Sequence, residues 1–242
     1  MKISSLSIGV VAAMLAATSA LAVPTINITR QSGYYSGSGG EFTIKANAAI
    51  SYSSYSTTTP VVASGAQFQT FCVETGDFVT LGNNYTAYVA PTISGANGTK
   101  TLSVGAAWLY ANFLAGTLGG YNYTAGSGRS TSAGLLQSTI WYLMGEASNP
   151  GGVFLTDLTT AGITTPTAAM TGAYYSTTVS GTIYDVAVLN LGSNGDSTAQ
   201  DQLVAWTQAA GQTATPDGGT TVSLLGMALA GLGIIGRRFA KR

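Results

Sequence analysis

Residues 103–115 read Ser-Val-Gly-Ala-Ala-Trp-Leu-Tyr-Ala-Asn-Phe-Leu-Ala, and this stretch decides the fold class because the hydrophobic period changes here. Apolar residues recur three or four positions apart, as on one side of an α-helix, at Val104, Ala107, Trp108, Ala111 and Leu114. Leu109 and Phe113 lie on the other side, which predicts a largely buried helix. Ser103 is a favourable N-cap and Gly116 a favourable stop, so the helix is predicted over residues 103–115.

Segments with the two-residue period of β-strands surround this helix. Upstream strands are predicted at residues 25–30, 41–52, 66–75 and 85–90, the last as the neighbour of 66–75 after a turn at 82–84. Downstream, a second helix is predicted from Ser130–Ser132 to Gly145 and a strand at 182–191, while 198–207 fits a helix or a strand. This order predicts an α+β fold, a mainly antiparallel sheet or barrel with two inserted helices.

The strand predicted at residues 66–75 carries apolar residues on both faces. Alternation places Phe68 and Cys72 on one face and Phe71 and Val73 on the other. A strand that is apolar on both faces is buried on both sides, so we expect it to be central in the sheet.

Composition and charge exclude several classes of function. Residues 23–215 carry four basic and eight acidic side chains, a net charge of −4 that disfavours nucleic acid as a partner. The chain has no histidine, which excludes Ser-His-Asp and Cys-His catalysis and histidine-containing zinc sites. Cys72 is the single cysteine, so an intramolecular disulfide cannot form.

The N-terminus has the three parts of a secretory signal peptide. Lys2 supplies a positive charge, an apolar run extends over residues 6–17, and residues 18–22 end in an Ala-Leu-Ala cleavage site. Residues 1–22 are therefore predicted to be a signal helix that is removed before Val23. The alternative is a retained membrane helix, although the apolar run is short for one.

The C-terminus combines a polar motif, an apolar span and a basic end. Residues 208–219 are predicted to be a linker that ends in the motif Pro216-Asp217-Gly218-Gly219. Residues 220–236 contain no charge, and the basic residues Arg237, Arg238, Lys241 and Arg242 follow. We expect residues 220–242 to form a transmembrane helix with a cytoplasmic basic tail. The alternative is a buried terminal helix of a soluble domain.

This tail resembles the PEP-CTERM class of bacterial sorting signals, in its Val-Pro-Asp-Ser-Gly variety, with Thr215 in the place of Val. The resemblance implies export, transient anchoring in the inner membrane, and processing near the motif by an exosortase-type membrane protease. The mature protein would then reach the cell surface or the extracellular matrix. The competing interpretation is an ordinary C-terminal membrane anchor.

Two short motifs bear the distinctive chemistry of the domain at residues 23–207. The first is Phe71-Cys72-Val73-Glu74, and the second is Leu136-Gln137-Ser138-Thr139-Ile140-Trp141, in which Gln137 lies on an apolar helical stripe. These motifs resemble those of the thioester domains of bacterial surface adhesins. The resemblance implies that Cys72 is the thioester cysteine and Gln137 the acyl donor. Leu136 and Thr139 depart from the adhesin pattern, which has Thr and Ala there.

The expected function is attachment, covalent where the thioester forms, to an amine-bearing surface protein or an extracellular polysaccharide. Neither a cofactor nor enzymatic turnover is expected. The alternative is a non-catalytic structural protein of the envelope or matrix that shares only the fold, with Cys72 as a small buried hydrophobe and Gln137 bonded to backbone. A third hypothesis is a hydrolase or cation site that uses Glu74 and Asp77.

Overall fold

The computed structural model describes residues 23–208, except residue 38, residues 52–60 and residues 194–195. Within these residues the chain forms nine strands and three helices. The first strands and helices are β1 Thr25–Thr29, β2 Phe42–Ala46, β3 Gln67–Thr70, β4 Asn84–Ala90, β5 Thr92–Gly95, β6 Gly98–Thr101, α1 Val104–Leu114 and α2 Ser127–Leu143. They are followed by α3 Val153–Thr160, β7 Tyr175–Val179, β8 Thr182–Ser193 and β9 Asp196–Thr207.

Seven strands form one antiparallel sheet in the order β3-β2-β1-β4-β8-β7, with β9 also paired to β8. Val188 of β8 faces both β4 and β9, so these two strands lie on opposite edges of β8. Strands β5 and β6 form a separate hairpin. The predicted α+β class and the mainly antiparallel sheet are confirmed. The barrel alternative is wrong, because the sheets are open, and a third helix, α3, adds to the two that were predicted.

The predicted neighbour of the 66–75 strand is wrong. Strand β4 pairs with β1 and β8, whereas β3 pairs with β2 at one end of the sheet. After the end of β3, Cys72 forms an isolated antiparallel bridge with Gln202 of β9. The prediction that both faces are buried agrees with the structure, because Phe71 and Val73 pack into one hydrophobic cluster and Cys72 into another.

The two hydrophobic clusters lie on opposite faces of the sheet. One joins the helices to the sheet and includes Tyr110 and Phe113 of α1 and Ile140 of α2. The other is built mainly from strand residues such as Ile28 of β1 and Leu189 of β8. Residues 71–73 therefore lie between two cores. This explains why they are buried on both faces although β3 lies at the end of the sheet and not at its centre.

Helix α1 forms where its sequence predicts it. The Ser103 hydroxyl accepts a hydrogen bond from the N–H of Ala106, which satisfies a donor that a helix start leaves unpaired. The ring of Phe113 packs edge-on against Phe71 and Tyr121, with centroids 5.0 Å apart in both pairs. A buried aromatic cluster thus fixes the helix against the strand that carries Cys72.

Helix α2 begins at Ser127, earlier than the predicted start at Ser130–Ser132. The first four residues are Ser-Gly-Arg-Ser, and the two serines and the glycine are weaker helix formers than most, so local sequence does not reveal this start. A tertiary ion pair fixes them instead, because Arg129 donates to both carboxylate oxygens of Glu41 at 2.6 and 2.7 Å. The ambiguous segment 198–207 lies in strand β9.

The predictions for the two ends of the chain lie outside the described residues. They concern the signal helix at 1–22, the motif at 216–219, the span at 220–236, and the basic residues Arg237, Arg238, Lys241 and Arg242. Among residues 23–208, as far as they are described, no helix has the length and apolar character needed to cross a bilayer.

Candidate functional site

The thiol of Cys72 is wholly buried in the hydrophobic cluster built mainly from strand residues, and no disulfide engages it. Backbone hydrogen bonds from Val73 N to Asp201 O (3.1 Å) and from Leu203 N to Phe71 O (3.0 Å) flank the bridge to β9. This pattern makes Cys72 and Gln202 directly opposed residues whose side chains leave the same face. In such pairs the Cβ atoms lie roughly 4.5–5.5 Å apart.

Gln202 is the residue whose carboxamide touches the sulfur. Its Nε2 lies 3.6 Å from Cys72 Sγ and also donates to Gln200 O at 3.0 Å. The side chain is 0% exposed, yet Oε1 has no hydrogen-bond partner among the described residues. An unsatisfied buried acceptor lowers the stability of a fold by about 1–3 kcal/mol, so packing alone does not explain a glutamine at position 202.

Gln137 binds the backbone of Cys72. The N–H of Cys72 donates to Gln137 Oε1 at 3.0 Å, and Gln137 Nε2 donates to the carbonyl of Cys72 at 2.8 Å. The carboxamide thus takes the place of a peptide group of a neighbouring strand, at the backbone edge that faces away from β9.

Trp141 makes the second contact between α2 and this edge. One helical turn beyond Gln137, its Nε1 donates to the carbonyl of Glu74 at 3.0 Å. Residues i and i+4 on a helix lie about 6 Å apart along its axis, close to the roughly 6.6 Å between residues i and i+2 of a strand. The spacing of Gln137 and Trp141 therefore matches that of Cys72 and Glu74.

Burial opposes ionisation of the thiol. It raises the pKa of Cys72 to about 12, with the hydrogen bond from Gln202 and the charge of Arg30 acting in the opposite direction. At neutral pH the residue is therefore a neutral thiol. A thioester carries no charge either, so the same burial that disfavours a thiolate leaves an acylated cysteine without penalty.

Three carboxyl groups lie beside the site. Glu74 is fully buried; its Oε1 accepts from the N–H of Asp201 at 2.8 Å, while Oε2 has no partner among the described residues. A Cβ atom at Gly95 would lie 1.7 Å from Glu74 Oε2 and 2.6 Å from Asp77 Oδ2, so both carboxyl groups converge where only glycine fits. In the described part of the chain, no group of three or more His, Cys, Asp or Glu side chains could hold a metal ion.

The acidic surroundings also affect Asp201. Burial raises its pKa to about 7, the charges of Glu74 and Asp77 act in the same direction, and hydrogen bonds from Ser94 and Leu191 act against them. Those bonds, at 2.9 and 2.8 Å, tie the β5–β6 hairpin and β8 to this carboxyl group. Asp201 therefore links three strands next to the Cys72–Gln202 pair.

The structure brings Cys72 and Gln137 together as the two motifs suggest, but through the backbone of the cysteine. Gln202, which meets the sulfur, was not singled out from the sequence. Strand β9 is buried on both faces there, with Gln202, Leu203 and Val204 each 0% exposed. Its sequence therefore lacks the alternation of apolar and polar residues that would have identified a strand and the side chains on one face of it. The usable signal was the pair of glutamines at 200 and 202, two residues apart beside an acid.

The tail can be compared with known sequences. Residues 216–239 match the VPDSG-CTERM motif. The matched range contains Pro216-Asp217-Gly218-Gly219 and the arginine pair Arg237 and Arg238. The match supports a PEP-CTERM-type sorting signal, which marks an exported protein that an exosortase-type membrane protein sorts to the cell surface or beyond. No curated protein and no solved structure matches the chain.

Proposed function

We propose that the exported domain is a single-use attachment module in which Cys72 forms an internal thioester with the carboxamide of Gln202. The observation that carries this proposal is the 3.6 Å contact between Cys72 Sγ and Gln202 Nε2 in a fully buried, directly opposed strand pair. The resemblance of the flanking motifs to thioester domains of surface adhesins agrees with it. The surface destination implied by the sorting signal gives an attachment module a place to act.

The chemistry of formation balances without a cofactor. The sulfur of Cys72 attacks Cδ of Gln202, the C–N bond breaks, and the nitrogen leaves as ammonia together with the thiol proton. A primary amine on a partner then attacks the thioester carbonyl, which forms an amide with Gln202 and returns the thiol of Cys72. Each molecule reacts once, so the proposed protein is a reactant and performs no turnover.

Gln137 has a positioning role in this proposal. Its carboxamide makes two hydrogen bonds to the backbone of Cys72, and as acyl donor it would lose the one from Nε2 and would have to turn from the backbone to the sulfur. Gln202 would lose the bond from Nε2 to Gln200 O, but its carboxamide already contacts the sulfur. Fixing the cysteine backbone holds sulfur and amide in a defined relation, which replaces a bimolecular encounter by a positioned one.

The deciding experiment is the intact mass of the exported protein, followed by incubation with methylamine. We expect a mass lower than that of the processed sequence by one ammonia, and then a gain of one methylamine. Peptide sequencing by mass spectrometry should place the methylamide on Gln202. A methylamide on Gln137 would assign the donor role to that residue instead.

A second candidate function is a structural envelope or matrix protein with an unreactive cysteine. The raised pKa of the Cys72 thiol, about 12, favours it, since burial suppresses the nucleophilic thiolate. An intact mass that retains every ammonia and does not respond to methylamine selects this function and rejects the thioester.

A further inference from the structure

Two carboxyl groups of the loop at residues 74–77 converge on the turn of the β5–β6 hairpin. A Cβ atom at Gly95 would lie 1.7 Å from Glu74 Oε2 and 2.6 Å from Asp77 Oδ2. Two atoms this close to one point can be no farther apart than the sum of the two distances. A calcium ion with ligands about 2.4 Å away holds oxygens up to roughly 4.8 Å apart. The two carboxylate oxygens are therefore close enough to bind one ion together.

Glu74 is the buried member of this pair, and one of its oxygens is unsatisfied. The residue is 0% exposed, and its Oε1 accepts from the N–H of Asp201 at 2.8 Å. Its Oε2, the atom that converges with Asp77 on Gly95, has no hydrogen-bond partner among the described residues. A buried carboxylate oxygen without a donor is more costly than a neutral acceptor in the same position. A positive charge between the two carboxyl groups removes that cost.

The charges around this point are mainly negative. Burial raises the pKa of Glu74, and the charges of Asp77 and Glu146 act in the same direction. The hydrogen bond from the N–H of Asp201 and the charge of Lys100 act against them. Lys100 is engaged in an ion pair with Glu146. Within the described part of the chain, no salt bridge reaches Glu74 or Asp77, so their convergence lacks a cation of its own.

The side chains at this point offer oxygen ligands, which favour a hard cation. Calcium binds carboxylates, carbonyl oxygens and water in flexible geometry, whereas magnesium requires a near-ideal octahedron. The side chain of Asn97 lies against the same loop, because its Oδ1 is 3.0 Å from the position of a Cβ atom at Gly76. Its Nδ2 donates to Glu146, so Oδ1 remains an acceptor. Asn97 is exposed and Asp77 half-buried, so water can complete the shell.

We propose that Glu74 Oε2 and Asp77 Oδ2 bind one calcium ion between the loop at residues 74–77 and the turn of the β5–β6 hairpin. The two carboxylates carry the charge, and carbonyl oxygens and water fill the remaining positions of the shell. The sorting signal implies a destination outside the cytoplasm, where calcium modules have dissociation constants of about 10⁻⁴–10⁻³ M. The inference is independent of the thioester, because neither Cys72 nor Gln202 is a ligand.

The ion joins parts of the fold that polar contacts already bring together. The N–H of Ala96 donates to Asp77 Oδ2 at 2.7 Å, which holds the loop against the hairpin turn. The N–H of Ser94 donates to Asp201 Oδ2 at 2.9 Å, which ties the hairpin to β9. A calcium ion at the proposed point adds a third connection. Since the unfolded chain does not hold these two oxygens together, bound calcium stabilises the folded state.

Thermal unfolding of the exported protein tests the site. The protein is first dialysed against a chelator and then measured with and without calcium chloride in the millimolar range. We expect calcium to raise the melting temperature, because it binds only the folded state. Sodium chloride at the same ionic strength is the control for screening among the acids and should give a smaller shift. An equal shift with sodium chloride, or no shift with either salt, overturns the site.

Charge-removing variants identify the ligands. Glu74→Gln and Asp77→Asn should each weaken calcium binding at least about tenfold in calorimetric titration, since affinity follows the charge of the ligand set. Asp157→Asn is the matched control and should bind calcium normally. Asp157 Oδ2 also has no hydrogen-bond partner in the described structure and lies 3.0 Å from the position of a Cβ atom at Gly119, but no second carboxyl group adjoins it there. Unchanged affinity in Asp77→Asn, whose side chain is only half-buried, contradicts the assignment.

Terbium luminescence locates the ion. Terbium(III) occupies calcium sites and is excited by energy transfer from a nearby indole, and the Nε1 of Trp141 donates to the carbonyl of Glu74 at 3.0 Å. The emission should therefore fall severalfold in Trp141→Phe, while calcium still raises the melting temperature. Trp206→Phe is the matched control, because that ring packs against Tyr174, and it should keep the emission. Full emission in Trp141→Phe places the ion elsewhere and overturns the proposal.

Discussion

Helix α2 contacts two buried polar clusters that differ in how fully their hydrogen bonds are satisfied. At its first turn, Glu41 accepts from Arg129 with both oxygens and also from Tyr121 at 2.6 Å, and Arg129 donates further to the carbonyl of Tyr123. Halfway along the helix, the Cys72 cluster leaves Gln202 Oε1 and, next to it, Glu74 Oε2 without described partners.

This difference separates a structural network from the one that is proposed to react. A fully paired buried network rigidifies a fold, whereas a buried group without a partner costs free energy and calls for another explanation. The Glu41–Arg129 cluster joins β2 to α2 and fixes the start of the helix. The Cys72 cluster holds its cysteine by the backbone and leaves the side-chain chemistry open.

The largest expected effect is on the satisfied cluster. Arg129→Met removes one partner of a buried ion pair and strands the Glu41 carboxylate, so the free energy of unfolding should fall by about 3–5 kcal/mol. Urea denaturation measures it. The double variant Glu41→Gln/Arg129→Met is the control and should recover part of the loss. If Arg129→Met lowers the free energy of unfolding by less than Gln202→Met does, the proposed difference between the two clusters is wrong.

A pH titration addresses the acidic side of the Cys72 cluster. The pKa of Asp201 is raised from 3.8 to about 7, so the folded state binds more protons than the unfolded state between these values. Stability is therefore greatest below about pH 4 with respect to this group and falls, by on the order of 2–4 kcal/mol, as the pH rises to about 7. Burial raises the pKa of Glu74 too, which adds to the trend, whereas the lowered pKa of Glu146 opposes it.

Denaturation curves at several pH values, compared with those of Asp201→Asn, assign the trend. The variant should be less stable but should lose most of the slope between pH values of about 4 and 7, because it removes the titrating group. An unchanged slope would mean that Glu74, whose pKa is also raised by burial, is responsible.

A smaller effect is expected from Gln137→Met, which keeps side-chain length but removes both hydrogen bonds to Cys72. The backbone N–H and carbonyl of Cys72 would lose their partners, at about 1–3 kcal/mol for an unsatisfied buried group. Thermal unfolding measures the loss. Gln200→Met, which removes a single bond to the Glu74 carbonyl, is the matched control and should cost less.

The smallest stability change is expected for Gln202→Met. This substitution removes the unpartnered carbonyl, which offsets the loss of the bond from Nε2 to Gln200 O, so the unfolding free energy should change by less than about 1 kcal/mol. Its functional effect should nevertheless be complete, with no loss of ammonia and no methylamine uptake. A large destabilisation would indicate that Gln202 is a structural residue.

Local signals determined how much of this molecule could be predicted. Helix α1 was predictable because its cap, period and stop lie within residues 103–116. The pairing of β4 with β1 and β8 was not, because strand neighbours depend on the whole chain. The site divides in the same way: Cys72 and Gln137 occur in short motifs, whereas the contact of Cys72 with Gln202 spans 130 residues of sequence.

The position of Gln202 near the end of the domain has a mechanical consequence. Strand β9 ends at Thr207, and the sorting motif follows at Pro216. A load applied between an acylated Gln202 and the tail would run through residues 202–216 alone, so strands β1–β8 and all three helices would bear no tension. If the protein is pulled between an amide linkage on Gln202 and its C-terminus, we therefore expect no unfolding step for these elements. Attachment through Gln137 would instead stretch α3, β7 and β8.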